Sequence, residues 1–326
     1  MNRRDAVIAL FALGAPSLVV HAQQAGKIPR LCFLTFDPGT LQSTRHTVFF
    51  DALRDLGYVD GKTIAIDYLS ADSRAEQYPV NAAECVRRNA DIIVTATTPA
   101  TQAAKKATRT IPIVMLSLGD PIGSGLIDTL ARPGGNVTGM TFMAAALAAK
   151  RVEILRELSP RISRALVITY PLDPISAPQI ESMKKAAGSM GVTLYIHSIR
   201  TAADIPAAFD AGVKNHAQGL ITTVESIFSV NYAQVIELAA KHRLPAVYGN
   251  PQYAPNGGLI SYAADFPLLY SSAASYVDRI LKGAKPADLP VMQPTKFMFE
   301  LNLKTAKALG ITVPATLRLR ADRIIE

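Results

Sequence analysis

Ala90-Asp91-Ile92-Ile93-Val94-Thr95 and Ala217-Gln218-Gly219-Leu220-Ile221-Thr222 decide the fold of this chain, because the second rewrites the first. Each reads as a short apolar strand opening into a threonine-rich loop. One helical stretch later come Ile111-Pro112-Ile113-Val114-Met115 and Leu244-Pro245-Ala246-Val247-Tyr248. Both copies then pass a glycine pair, in Pro133-Gly134-Gly135-Asn136 or Pro255-Asn256-Gly257-Gly258, and enter a last strand at 137–141 or 259–262. Four matches in one order and at similar spacing imply two copies of one α/β unit.

Outward from this pair, apolar runs at 31–35, 63–68, 165–170 and 193–197 complete the strands. Amphipathic stretches at 48–56, 100–108, 150–158, 179–190 and 232–241 lie between them. Such alternation, joined by short Gly, Pro, Asp or Thr loops, is the mark of βαβ units and parallel sheets. The expected fold is α/β: two similar Rossmann-like lobes with parallel sheets joined by a hinge. Lobe 1 takes 27–142 plus 266–290 and lobe 2 takes 143–265, while a strand–helix tail at 291–326 is assigned to neither. The chain is expected to pass between lobes near 142–144 and 263–266. Ligands of open parallel sheets bind at the carboxyl ends of the strands. Two lobes facing each other through those ends form a cleft that hinge motion can close.

The first residues bear on where the protein works. Asn2-Arg3-Arg4 precedes a run at 6–20 that is apolar apart from Ser17, and Val20-His21-Ala22 suits a signal peptidase. The reading is a secretory signal at 1–22, cleaved after Ala22, and a periplasmic mature protein. Gly14 and Pro16 interrupt the run, which is short for a membrane span. Arg3-Arg4 leaves the twin-arginine route open, and the lack of a cysteine at the cleavage point argues against a lipid anchor.

With 49% apolar and 18% charged residues, the rest reads as an ordinary globular protein with a large core. The net charge of +8 raises nucleic acid as a partner, but pairs such as Lys105-Lys106 and Lys184-Lys185 are scattered, with no aromatic-interleaved stripe. No nucleic-acid partner is expected, and the protein reads as a monomer. Cys32 sits in an apolar strand and Cys85 on a helical stretch at 75–89. Two separately buried thiols are favoured over a bridge, although an oxidising compartment permits one. His46, His197, His216 and His242 are widely spaced and no Cys-x-x-Cys occurs, so no metal site is visible. His46 reads as a surface helix residue. No cofactor is implied, and neither a glycine-rich phosphate loop nor a nucleophile elbow appears. The expectation is a binding protein without catalytic residues.

The loops after the strands carry the candidate ligand residues. In Thr95-Ala96-Thr97-Thr98-Pro99, Thr98 fits a helix cap with Pro99 at the first helical position, and Thr97 and Thr98 are candidate donors to a carboxylate. In Ser117-Leu118-Gly119-Asp120-Pro121, Asp120 is either a cap or an ammonium partner, with Ser117 beside it as a donor. In Thr222-Thr223-Val224-Glu225-Ser226, Glu225 is either a solvent-facing or capping acid or an ammonium partner. Burying a charge without its partner is expensive, which is how such a site selects zwitterions. Phe36 and Asp37 end the first strand of lobe 1, Tyr170 ends that of lobe 2, and Thr141 closes the last strand of the first copy. Phe36, Tyr170 and Tyr248 are candidate covers for a ligand, against the alternative that each is core.

The chain also resembles the bacterial ABC-transporter substrate-binding protein family that includes tryptophan- and tyrosine-binding members. The likeness is carried by Ile280-Leu281-Lys282-Gly283-Ala284-Lys285-Pro286-Ala287-Asp288-Leu289-Pro290-Val291 and then Gln293-Pro294-Thr295-Lys296-Phe297. Further matches are Asn302-Leu303-Lys304-Thr305-Ala306-Lys307-Ala308-Leu309-Gly310 and Arg132-Pro133-Gly134-Gly135-Asn136-Val137-Thr138-Gly139. The resemblance implies a type I periplasmic-binding fold, a small polar or zwitterionic solute held between closing lobes, an amino acid among the candidates, and delivery to a membrane permease. A periplasmic sensor subunit for a signalling receptor and an envelope α/β enzyme are the alternatives.

Overall fold

The computed structural model describes residues 28–39, 41, 46–116 and 119–326, so the signal expected at 1–22 lies outside the described residues. The first copy runs β1 (Arg30–Thr35), α1 (Thr47–Asp55), β2 (Ala65–Ser70), α2 (Tyr78–Arg87), β3 (Ile92–Thr95), α3 (Thr98–Ala107), β4 (Ile113–Met115) and β5 (Val137–Gly139). The second runs α4 (Ala144–Leu158), β6 (Arg164–Thr169), α5 (Ser176–Ser189), β7 (Thr193–Ser198), α6 (Ile205–Lys214), β8 (Leu220–Thr222), α7 (Ser226–Val230), α8 (Tyr232–Lys241), β9 (Ala246–Tyr248) and β10 (Ile260–Ala264). After these come α9 (Phe266–Leu281), β11 (Phe297–Asn302), α10 (Leu303–Leu309), α11 (Ala315–Arg320) and β12 (Arg323–Ile325).

The first sheet has the order β2-β1-β3-β4-β5, with every pairing parallel. The second has the order β12-β11-β10-β9-β8-β6-β7. Started from β7, it gives β7-β6-β8-β9-β10, the same permutation as the first. The repeated segments 90–95 and 217–222 thus supply the middle strand of each unit. Chain order reverses between β1 and β3, and again between β6 and β8, which is where an open sheet leaves its ligand crevice. One departure from wholly parallel sheets occurs: β11 runs antiparallel to β10, and β12 then pairs parallel to β11. The tail 291–326 therefore extends the second sheet, with Phe299, Leu301 and Leu317 sharing a core with Val152 and Leu155 of α4.

The chain crosses between the sheets three times rather than twice. β5 leads into α4 at Met140–Ala144, where Met143 takes a left-handed conformation with φ 53°. β10 leads into α9, whose cap Asp265 accepts from Leu268 N at 3.1 Å. The third crossing was not foreseen. Met292 N donates to Gly139 O at 2.9 Å and Thr141 N to Met292 O at 2.9 Å, so this segment runs beside β5 before returning as β11. Helix α9 belongs with the first sheet because its buried stripe, Leu269, Tyr270, Ala273, Val277 and Ile280, packs on Phe49 and Leu53 of α1. Each such large side chain removed from water contributes roughly 1.5–3 kcal/mol.

Two sequence expectations are corrected. Cys32 and Cys85 are joined in a disulfide, with Cα atoms 5.7 Å apart. The strand and helix face each other, so both thiols enter one core cluster rather than two separate ones. His46 is fully buried, edge-on to Phe33 at 5.3 Å and tilted against Tyr270 at 5.3 Å. It precedes α1 and is covered by α9, an element whose packing the local sequence does not reveal.

Candidate functional site

The carboxyl ends of the two sheets meet. Ala96, Thr97, Thr98, Phe142, Phe266 and Tyr270 on one side face Asp173, Ile175, Val224 and Ser226 on the other, leaving about 20 Å³ between them. A second space of about 130 Å³ adjoins it at Thr98, Asp120, Gly123, Ser124, Pro174, Ile175 and Pro178. Ile175 of the second lobe comes so near Gly119 of the first that any Cβ at Gly119 would overlap it. A larger hollow, about 710 Å³, lies elsewhere, along α3 at Lys105, Lys106 and Arg109. Its charged residues stand at the surface and none of the candidate ligand residues line it, so it is not the cleft.

Glu225 lies beside the cleft, between its lining residues Val224 and Ser226. It occupies the cap position of α7 but makes no side-chain cap bond. Instead its carboxyl, 1% exposed, turns towards α5. Ser176 Oγ lies 2.6 Å from Glu225 Oε1 and also 2.6 Å from Tyr170 O, and Gln179 Nε2 stands 3.4 Å from Oε1. One hydroxyl has one proton and cannot donate to both oxygens. The chain is satisfied when Glu225 is protonated and donates to Ser176 Oγ, leaving Ser176 to donate to Tyr170 O. Burial pushes the Glu225 carboxyl up to about 8, which fits that arrangement, and the charge of Asp173 adds to the rise. The other oxygen, Oε2, has no hydrogen-bond partner among the described residues.

Asp173 was not foreseen. It follows β6 in Pro171-Leu172-Asp173-Pro174 and accepts from Ile175 N at 3.1 Å through Oδ1. Burial pushes its carboxyl to about 7, opposed by the Ile175 amide and by the Thr98 hydroxyl across the cleft. Arg151 was missed as well. It is fully buried on α4 and donates to Thr222 O at 3.3 Å. The stripe Leu147, Ala148, Val152 and Leu155 shows that Arg151 falls on the apolar face of its helix, a signal present in the sequence.

The other candidates fall into three groups. Thr97 and Thr98 line the cleft, while Phe36 and Tyr170 meet beside it within a buried cluster that spans both lobes. The helix cap is Thr97 rather than Thr98: Thr101 N donates to Thr97 O at 3.1 Å as the first helical bond, and Thr97 Oγ1 accepts from Ala100 N at 3.2 Å. Pro99, with no N–H, is the second helical residue, so the helix starts one residue early and the Thr98 hydroxyl is left for Asp173. Phe36 and Tyr170 meet edge-on at 6.2 Å, and burial pushes the Tyr170 phenol up to about 12.

Asp37, Thr141 and Asp120 stand behind or beside the cleft. Asp37 lies 3.9 Å from His46, and Thr141 Oγ1 donates to Gly119 O at 3.1 Å. Asp120 accepts from Gly123 N at 2.9 Å and closes a turn at the mouth. Tyr248 is not brought to the cleft: its ring stacks on Tyr253 at 4.1 Å in the core of the second lobe. Ser117 lies outside the described residues.

The family model for ABC transporter substrate binding protein matches residues 39–325. The chain is 27% identical over 276 residues to the tyrosine-binding protein of Clostridioides difficile (strain R20291), covering 85% of this chain and 78% of that protein. Among solved structures, an ABC domain from Streptococcus pneumoniae in complex with L-Trp superposes with a TM-score of 0.82 at 25% identity, covering 90% of this chain and all of the other. A conserved domain protein from Vibrio cholerae O1 biovar El Tor gives 0.85 at 26% identity, covering 91% of this chain and all of the other.

Proposed function

The chain belongs to the ABC transporter substrate-binding protein family, and on that premise we propose that it captures an ammonium-bearing solute with an apolar or aromatic body. An amino acid of the tyrosine or tryptophan kind fits that description. The family binds substrates for a transporter and works with its permease, outside the cytoplasm. In this reading the protein is exported by the signal at 1–22 with cleavage after Ala22, acts as a monomer and transforms nothing.

The observation that carries the ligand class is the acid pair. Glu225 and Asp173 are both buried, and Glu225 Oε2 has no partner among the described residues. A cation entering between the lobes offsets the cost of ionising them more directly than any neutral group. Phe142, Phe266 and Tyr270 present flat apolar surface opposite. When the lobes part, the Thr98 hydroxyl leaves Asp173 and is assigned to the solute carboxylate, with Thr97 holding the start of α3 behind it. Phe36 and Tyr170 are assigned to the cover, Asp37 and Thr141 to support, and Asp120 to the mouth. The tyrosine-binding relative and the L-Trp complex support the choice of solute. A space of about 20 Å³ has room for about one water, so the lobes must part at the three crossings to admit a solute.

Melting the signal-less protein against amino acids, purines, organic acids and small amides tests this. A ligand at about 100 times its dissociation constant adds roughly 2.7 kcal/mol, a rise of a few degrees. Aromatic amino acids should give that rise. A rise with organic acids and none with any amine would refute the acid-pair reading.

A further inference from the structure

Capture at Glu225 leaves one buried charge without a task. Arg151 stays cationic at neutral pH although burial brings it down to about 10. A buried cation without an anion is costly, yet its guanidinium has one long hydrogen bond, to Thr222 O, and Nε has no partner among the described residues. The loops after β8 and β9 wrap it. A Cβ at Gly249 would stand 2.8 Å from Arg151 Cζ and would overlap Val224, the residue before Glu225. Only a glycine lets the chain close over the guanidinium there.

We propose that Arg151 is a positioning residue for solute capture: sealed behind the β8 and β9 loops, it is the countercharge that lets Glu225 release its proton when an ammonium arrives. The inference rests on the capture reading. Groups facing Glu225 are Asp173 and Tyr170 from the end of β6, Ser176 and Gln179 from α5, the Thr223 hydroxyl from its own loop, and Arg151 from α4, with Tyr262 of β10 facing Arg151 in turn. Among these Arg151 is the one cation. The charge of Glu225 helps to hold Arg151 cationic. Coulomb attraction is mutual, so Arg151 in turn favours the Glu225 carboxylate, whereas Asp173 opposes its ionisation. The protons balance. Ligand-free Glu225 holds its proton towards Ser176; as the ammonium enters, that proton leaves to solvent and the carboxylate accepts an ammonium N–H.

The test is carboxyl-carbon NMR of 13C-glutamate-labelled, ligand-free protein, with the Glu225 signal identified by its loss in Glu225→Gln. In Arg151→Met the Glu225 titration should move up by about one pH unit, and in Arg151→Lys by about half as much, because a buried lysine holds its charge less well. L-tryptophan binding at pH 7 should weaken about tenfold in Arg151→Met, following that shift. Should Arg151→Met not fold, Arg151→Lys decides by the same titration. An unmoved Glu225 titration in the folded variants overturns the proposal. A wild-type protein that binds no amine would instead refute the capture reading, with the titration still deciding the role of Arg151.

Discussion

Glu225 and Asp173 hold their carboxyls out of water, so their protons report on folding as well as on capture. Burial raises them to about 8 and about 7. In the unfolded chain such groups ionise near pH 4. Between about pH 4 and 8 the unfolded state therefore binds fewer protons than the folded one, and stability falls as pH rises. Urea denaturation of the ligand-free protein should give a lower stability at pH 8 than at pH 5, with a smaller difference in Glu225→Gln. Equal differences in the two proteins would mean that Glu225 ionises normally. At this scale the sequence was partly legible. Glu225 stood out because a strand precedes it, but whether it caps α7 or turns to α5 depends on Ser176 and Gln179, far away in the chain. Asp173 sits beyond Pro171 in a loop that only the opposite lobe buries. Tyr248 was misread because a strand end looks the same whether its ring enters a cleft or stacks on Tyr253.

Strands and helices were easier to read than the contacts between them. Strand and helix periods separated β3, α3 and β4 cleanly, and the first helical bond alone moved the cap from Thr98 to Thr97. The disulfide between β1 and α2 was illegible for another reason: pairing depends on how α2 lies over the sheet, which spacing does not encode. It closes a separation of 53 residues, for which the chain-entropy relation gives about 4 kcal/mol. The Cys32→Ala, Cys85→Ala double variant should lose a stability of that order in urea, and reduction should do the same to the wild type. A loss below about 1 kcal/mol would show that the bridge adds little to what the packing of α2 already provides.

The whole molecule was legible in outline because it is one α/β unit used twice, and the permutation β2-β1-β3-β4-β5 recurs as β7-β6-β8-β9-β10. The third crossing was not, since the segment at Met292 pairs with β5 by backbone bonds that leave no side-chain pattern. Three crossings constrain how the lobes part, and Ile175 against Gly119 shows how closely they come together. Asp173 then faces Phe142, Phe266 and Tyr270 across the closed space.

Calorimetric titration of the chain from residue 23 onward with L-tyrosine and L-tryptophan, set against the same molecules lacking the amino group, tests ammonium capture most directly. The amino acids should bind wild type with micromolar strength, about −8 kcal/mol. The des-amino analogues should not bind, and Glu225→Gln should lose at least about tenfold in affinity, or about 1.4 kcal/mol, while still folding. Equal binding of the amino acids and their des-amino analogues, or full affinity in Glu225→Gln, would contradict it.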